Sequence, residues 1–188
     1  QGHDETPLLT ILAILRRGLE KLDNLSDTSI RRSFTDPALM NALFAILMYG
    51  TPLCKCATYH ICAFIFPMLD TELVQGYATR TGWIAQQNLV NLGEMASSNA
   101  VASSASDFVT CLTSCVGHAS NVWSRYYAMT TGATSATSAT SAAAGSCPQT
   151  REAAEGEYGV AMAQLMLLRA LACSSKWAEC VAACIKRL

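Results

Sequence analysis

The stretch DPALMNALFAILMYGTPLCKCATYHICAFIFP, Asp36 to Pro67, decides how this chain folds. Asp36-Pro37 reads as a helix cap followed by a proline at the first helical position, where its missing N–H is no loss. From Ala38 to Tyr49 only Asn41 is strongly polar, and a helix that is apolar all round belongs in an interior. Gly50-Thr51-Pro52 breaks the run. Leu53 to Phe66 is then almost wholly apolar again, interrupted by Lys55, Thr58 and His60 and closed by Pro67. Each half is shorter than the ~20 residues that cross a bilayer, so the pair reads as a buried helical hairpin. A membrane-inserting hairpin is the less favoured alternative.

Outward from the hairpin, every periodic segment is helical. Leu8, Leu12, Leu15, Leu19 and Leu22 recur at spacings of four and three behind Thr6-Pro7, the stripe of an amphipathic helix. Leu9, Ile11 and Ile14 widen that stripe enough for contact with neighbours on more than one side. Residues 23–36 are a polar connection. On the other side, Asp70-Thr71-Glu72 starts a helix running to about Met95, and Asp107 starts one running to about Met129. Glu152 to Ala172 and Lys176 to the C-terminus are two more, the last capped by Ser174-Ser175. No stretch reads as a strand. The expected fold is all-α: one domain over 1–188, a disulfide-stapled bundle of six or seven helices around the apolar hairpin. Residues 130–146 hold the triplet Ala-Thr-Ser three times, from Ala133 to Ser141, and have no apolar face to bury, so they read as a flexible linker.

The expected staple comes from two cysteine doublets, Cys111 with Cys115 and Cys180 with Cys184. Residues four apart stand one above the other on a helix face, so two antiparallel helices could be joined by rungs from Cys111 to Cys184 and from Cys115 to Cys180. Those two rungs leave Cys54, Cys56, Cys62, Cys147 and Cys173. The remainder is odd, so at least one thiol is free or pairs with another chain. Nine cysteines placed in this way suit an oxidising compartment, and the start at Gln1 suits a mature product released from a signal peptide. The expected location is therefore extracellular. Asn24-Leu25-Ser26 is a glycosylation sequon, with Asn24 as its acceptor.

The totals narrow the functional classes. Of 188 residues 51% are hydrophobic and 14% charged, with a formal net charge of -1, against about 25% charged in an average soluble domain. Such a chain carries more apolar surface than a small monomer hides, which points to self-association, a bound apolar molecule or a membrane-facing surface. Basic residues are scattered as Arg16-Arg17, Arg31-Arg32 and Lys186-Arg187, and no stripe suited to nucleic acid forms.

Catalytic signatures are missing: there is no Gly-x-Ser-x-Gly turn, no His-Glu-x-x-His and no phosphate-cradling glycine loop. Cys54, Cys56, His60 and Cys62 form the most metal-like group, but they lack paired Cys-x-x-Cys knuckles, so no metal and no cofactor is expected. Cys115 with His118 could act as nucleophile and base, although a bridged Cys115 would be inert. Phe64, Phe66, Trp83, Trp123, Tyr126, Tyr127, Met162 and Met166 are candidates to line a cavity for a lipid or pigment between helices. The leading expectation is a secreted, non-enzymatic helical protein that works by self-association or by binding a protein partner. A carrier of an apolar small molecule is the alternative, and a membrane-active toxin or effector stands behind it.

Overall fold

The computed structural model describes residues 5–21, 32–95, 107–130 and 151–186. Gln1, Asn24, Cys147 and residues 131–146 of the Ala/Thr/Ser tract lie outside the described residues, as do the side chains of His118 and Tyr126. Regular structure among the described residues is helical throughout. Eight α-helices have defined ends: α1 (Thr6–Glu20), α2 (Pro37–Tyr49), α3 (Pro52–Ile65), α4 (Thr71–Arg80), α5 (Trp83–Met95), α6 (Phe108–Thr130), α7 (Arg151–Ala172) and α8 (Ala178–Ile185). A 3₁₀ turn, Phe66–Met68, follows α3. The described helices exceed the expected six or seven partly because the segment read as one helix from Asp70 to Met95 is two. It breaks after Arg80, where Gly82 adopts φ +82°, a left-handed conformation that glycine alone takes without penalty.

The hairpin forms at the punctuation already quoted. Asp36 accepts from the Ala38 N–H at 2.7 Å, and Pro37 occupies the first turn of α2. Gly50 is needed for close approach as well as for the break: a Cβ there would stand 2.7 Å from the Ile46 carbonyl oxygen. The Thr51 hydroxyl accepts from the Cys54 N–H and itself donates to Glu5, tying the start of α3 to the start of α1.

Helix α3 is the axis of the molecule. Helix α7 packs most extensively against it, and α1 and α2 also cover it. Its residues Cys54, Thr58, Tyr59, Ile61, Cys62 and Ile65 are buried, and the Thr58 hydroxyl donates to the Cys54 carbonyl one turn back. Helix α2, expected to be buried all round, has two sides. Met40, Leu43, Phe44, Leu47 and Met48 face inward, while Asn41, Ala42, Ala45 and Tyr49 face out. Small alanines on the outer side leave little apolar area exposed, which is why hydropathy alone did not reveal it. On α1, Leu12 and Leu19 are buried, but Ile11 and Ile14 are exposed, so of the three residues that widen the stripe only Leu9 packs against the core.

The C-terminal region closes the bundle. Helix α6 runs antiparallel to α7: Phe108 at its start meets Trp177 just past the end of α7, and Trp123 meets Tyr158 near the start of α7. A tight turn through Ser174 then reverses the chain. Buried Trp177 donates its indole N–H to the carbonyls of Phe66 (2.9 Å) and Leu69 (3.2 Å), and Lys176 pairs with Asp70. These contacts lock the α7–α8 turn onto the 3₁₀ segment after α3.

Two reversals in succession make α8 run in the same direction as α6. Trp177 meets Phe108, and farther along both helices Cys184 meets Thr113, its Sγ 3.6 Å from Thr113 Oγ1. The antiparallel ladder expected of the cysteine doublets is therefore not built. Cys111 and Cys115 turn instead toward α5, with Cys111 Sγ 4.0 Å from the Ile84 carbonyl and Cys115 Sγ 3.3 Å from Gln87 Oε1. Cys54, Cys56, Cys62, Cys111, Cys115, Cys173, Cys180 and Cys184 are all free thiols. The helical bundle stands without the staple.

Candidate functional site

The aromatic residues expected to line a ligand cavity are divided between the core and the surface. Phe66 and Trp83 are fully buried, and they belong to a set of rings that touch one another: Phe44–Phe66 at 6.0 Å, Trp83–Phe108 at 5.0 Å and Phe108–Trp177 at 6.2 Å between centroids. Offset and edge-on contacts at these distances are the packing of an aromatic core, each pair adding about 0.5–1.5 kcal/mol beyond area burial. Phe64 is half-buried against the same core. Trp123 is half-buried, and Tyr127, Met162 and Met166 are exposed. The seven candidates whose side chains are described therefore do not converge on one cavity, and the side chain of the eighth, Tyr126, lies outside the described residues.

What those exposed residues do form is a second apolar face on α7. The inner face of this helix, Ala161, Ala163, Gln164, Leu167 and Leu171, is buried. Gln164 donates from Nε2 to the Tyr59 hydroxyl at 3.1 Å, a buried tie between α7 and α3. On the opposite side, Tyr158, Met162, Leu165 and Met166 are 42%, 42%, 47% and 50% exposed. The order Glu155, Tyr158, Met162, Leu165, Arg169 steps by three and four residues in alternation, the a/d spacing of a coiled-coil seam, and all five are exposed. Trp123 of α6 stacks on Tyr158 at 4.8 Å and extends the apolar patch sideways toward exposed Tyr127. Sequence reading named Met162 and Met166 as cavity lining. It missed Tyr158 and Leu165, although the heptad spacing that links them was there to be counted.

A separate feature is a cleft of about 340 Å³ where the first turns of α4 and α6 meet α8. Phe108, Val109, Trp177 and Ala183 line it together with Glu72, Asp107 and Cys180. Cys184 lines it too, and of these residues only Cys180 and Cys184 are candidates named from the sequence. Gln75 fixes the junction by accepting from the Phe108 N–H at 2.7 Å.

The surroundings of the described thiols and of His60 set their protonation. Burial pushes the Cys62 thiol well up, and Cys115 is held well above its ordinary range by its hydrogen bond with Cys111 and then by burial. Both remain protonated and unreactive at neutral pH. Cys56 and His60 share the face of α3 turned toward Arg16 and Glu20. Burial, with Arg16 assisting, lowers the His60 pKa, while burial raises that of Cys56. No group of three or more His, Cys, Asp or Glu placed to hold a metal occurs among the described residues, and no described helix is long and apolar enough to cross a membrane. Comparison of the chain with protein-family models, curated proteins and solved structures gives no match.

Proposed function

We propose that this protein is a non-enzymatic interaction module that self-associates through the outer face of α7. The observation that carries the reading is the exposed heptad seam Glu155, Tyr158, Met162, Leu165, Arg169 on a helix whose other face already fills the core. Exposed apolar patches of this kind, rimmed by charge, are typical of association surfaces.

The occupant that fits the seam is a second copy. When two α7 helices pack antiparallel about Met162, Met162 meets its own equivalent, Tyr158 meets the partner's Met166, and Glu155 meets the partner's Arg169. Leu165 falls over the partner's Gly159, so the outer face of α7 is matched to itself in charge at its two ends and in shape between them, as a twofold interface requires. Its small area, against the roughly 1,600 Å² of a standard interface, makes the expected dimer a weak one that exchanges with monomer. Methionines suit this use because their unbranched side chains adapt to a facing surface.

Sedimentation equilibrium of the wild type and of Met162→Glu tests the proposal. The wild type is expected to dimerise reversibly. The variant brings two like charges together on the twofold axis and is expected to be monomeric with unchanged helicity. A wild type that stays monomeric at the highest concentration reached, or a variant that dimerises equally well, overturns the reading.

A further inference from the structure

We infer that the cleft between α4, α6 and α8 binds a small primary amine carried on an apolar body. Its volume of about 340 Å³ lies at the small end of ligand pockets, about 300–1,000 Å³. The floor is formed by Phe108, Val109 and Trp177, and Ala183 contributes a small side chain that leaves the space open. The cleft shares no residue with the outer face of α7, so this inference is independent of self-association.

Charge selects the class of ligand. The lining contains two carboxylates, Glu72 and Asp107, and no Lys or Arg. Lys176, close by in sequence, is engaged with Asp70 and the Met68 carbonyl outside the lining. The starts of α4 and α6 bring positive helix ends to the cleft, but each helix end amounts to about half a charge against a full unit on each carboxylate. Both oxygens of Asp107 accept from Thr110, one from its N–H and one from its hydroxyl, each at 2.8 Å. Asp107 is thereby held in place as a fixed negative wall, while Glu72 is exposed on the rim and can swing to a ligand ammonium. An alkyl or aryl ammonium matches this arrangement, its apolar body on the aromatic floor and its head at Glu72. A fatty acid of the same length would set its carboxylate against two others.

The site contains its own reporter. Cys180 is an exposed thiol on the lining, and Cys173 is an exposed thiol outside it. Iodoacetamide labelling mapped by mass spectrometry, with octylamine and octanoate below their micelle-forming concentrations and octanol below its solubility limit, reads occupancy at Cys180 with Cys173 as internal control. Octylamine is expected to protect Cys180 saturably, at a concentration about three- to fivefold below that required of octanol, the gain of one partly exposed ion pair. Octanoate is expected to protect least. Glu72→Gln should bring octylamine into line with octanol, and Ala183→Trp, which fills the cleft, should abolish protection by either while helicity is kept. Absence of protection by octylamine, equal protection by octylamine and octanoate, or protection that survives Ala183→Trp overturns the assignment.

Discussion

The two faces of α7 carry similar side chains and meet opposite surroundings. Leu167 and Leu171 are buried, whereas Leu165 and Met166, the two residues just before Leu167 in the chain, are exposed. Intrinsic helix propensity does not separate these positions, since Leu and Met rank together. The difference is tertiary: one face is covered within the chain, whereas on the other Tyr158 alone is seen to stack on a neighbour, Trp123 of α6, and Met162, Leu165 and Met166 stay exposed. An amphipathic pattern shows where apolar side chains lie on a helix, but it does not show how many faces the rest of the chain can cover.

The most forceful way to break this comparison is to shorten one leucine on each face. Leu167→Ala removes a fully buried side chain and is expected to cost about 2–5 kcal/mol of unfolding free energy, the range for buried leucines. Leu165→Ala should change the stability of the monomer by no more than about 0.5 kcal/mol, as for ordinary surface substitutions, while weakening the dimer. Urea denaturation at low protein concentration measures both. Similar losses at the two positions would mean that the outer face is covered within the chain, and the proposed seam would be withdrawn.

Thiol chemistry sharpens the same contrast at intermediate cost. Cys173, just past the end of α7, is exposed, whereas Cys62 and Cys115 are buried beside Tyr59, the residue that receives Gln164 from the inner face. Native labelling should modify Cys173 quickly and leave Cys62 and Cys115 unmodified until the chain unfolds. The buried thiols also predict an alkaline limit. Their folded pKa values are raised above the ordinary 9.0, so above that pH the unfolded chain releases protons that the folded chain retains. Stability should be level through neutral pH and fall above pH 9, each fully retained proton steepening the decline by about 1.4 kcal/mol per pH unit. Cys62→Ala should make the decline shallower, whatever it does to stability at neutral pH. An equally steep alkaline limb in that variant would show that Cys62 does not contribute to it.

How much of this was legible beforehand depends on whether the signal is local. The α2–α3 hairpin could be read because Asp36-Pro37 and Gly50-Thr51-Pro52 act on their own neighbours. The break at Gly82, inside the segment read as one helix from Asp70 to Met95, is not legible in the same way, because its positive φ is a property of the backbone and an isolated glycine is often tolerated within helices. The cysteine ladder failed for a different reason. Spacing within α6 and within α8 was read correctly, but their relative direction depends on the number of reversals between them, and α7 supplies the second reversal. The cleft was invisible for a related reason: Glu72, Asp107 and Trp177 are far apart in sequence and are brought together by packing alone.

The smallest expected effect tests the charges at the two ends of the seam. In the antiparallel pairing, Glu155 faces the partner's Arg169, and the twofold axis generates this contact twice. Each exposed pair contributes about 0.2–1 kcal/mol, a few-fold change in the dimer constant when both are reversed. Arg169→Glu and Glu155→Arg should each weaken dimerisation, because each sets like charges against one another at both ends. The double variant restores opposite charges in the exchanged order and should recover the wild-type constant. Glu155 is also bonded to Arg151 within its own helix at 2.7 Å, and that local pair is lost in Glu155→Arg and in the double variant alike. Recovery in the double variant therefore reports only the contact between copies. A parallel arrangement would place each Glu155 beside its own equivalent, so neither single substitution would be rescued by the other. The double-variant measurement thus decides the orientation of the two helices as well as the worth of the charges.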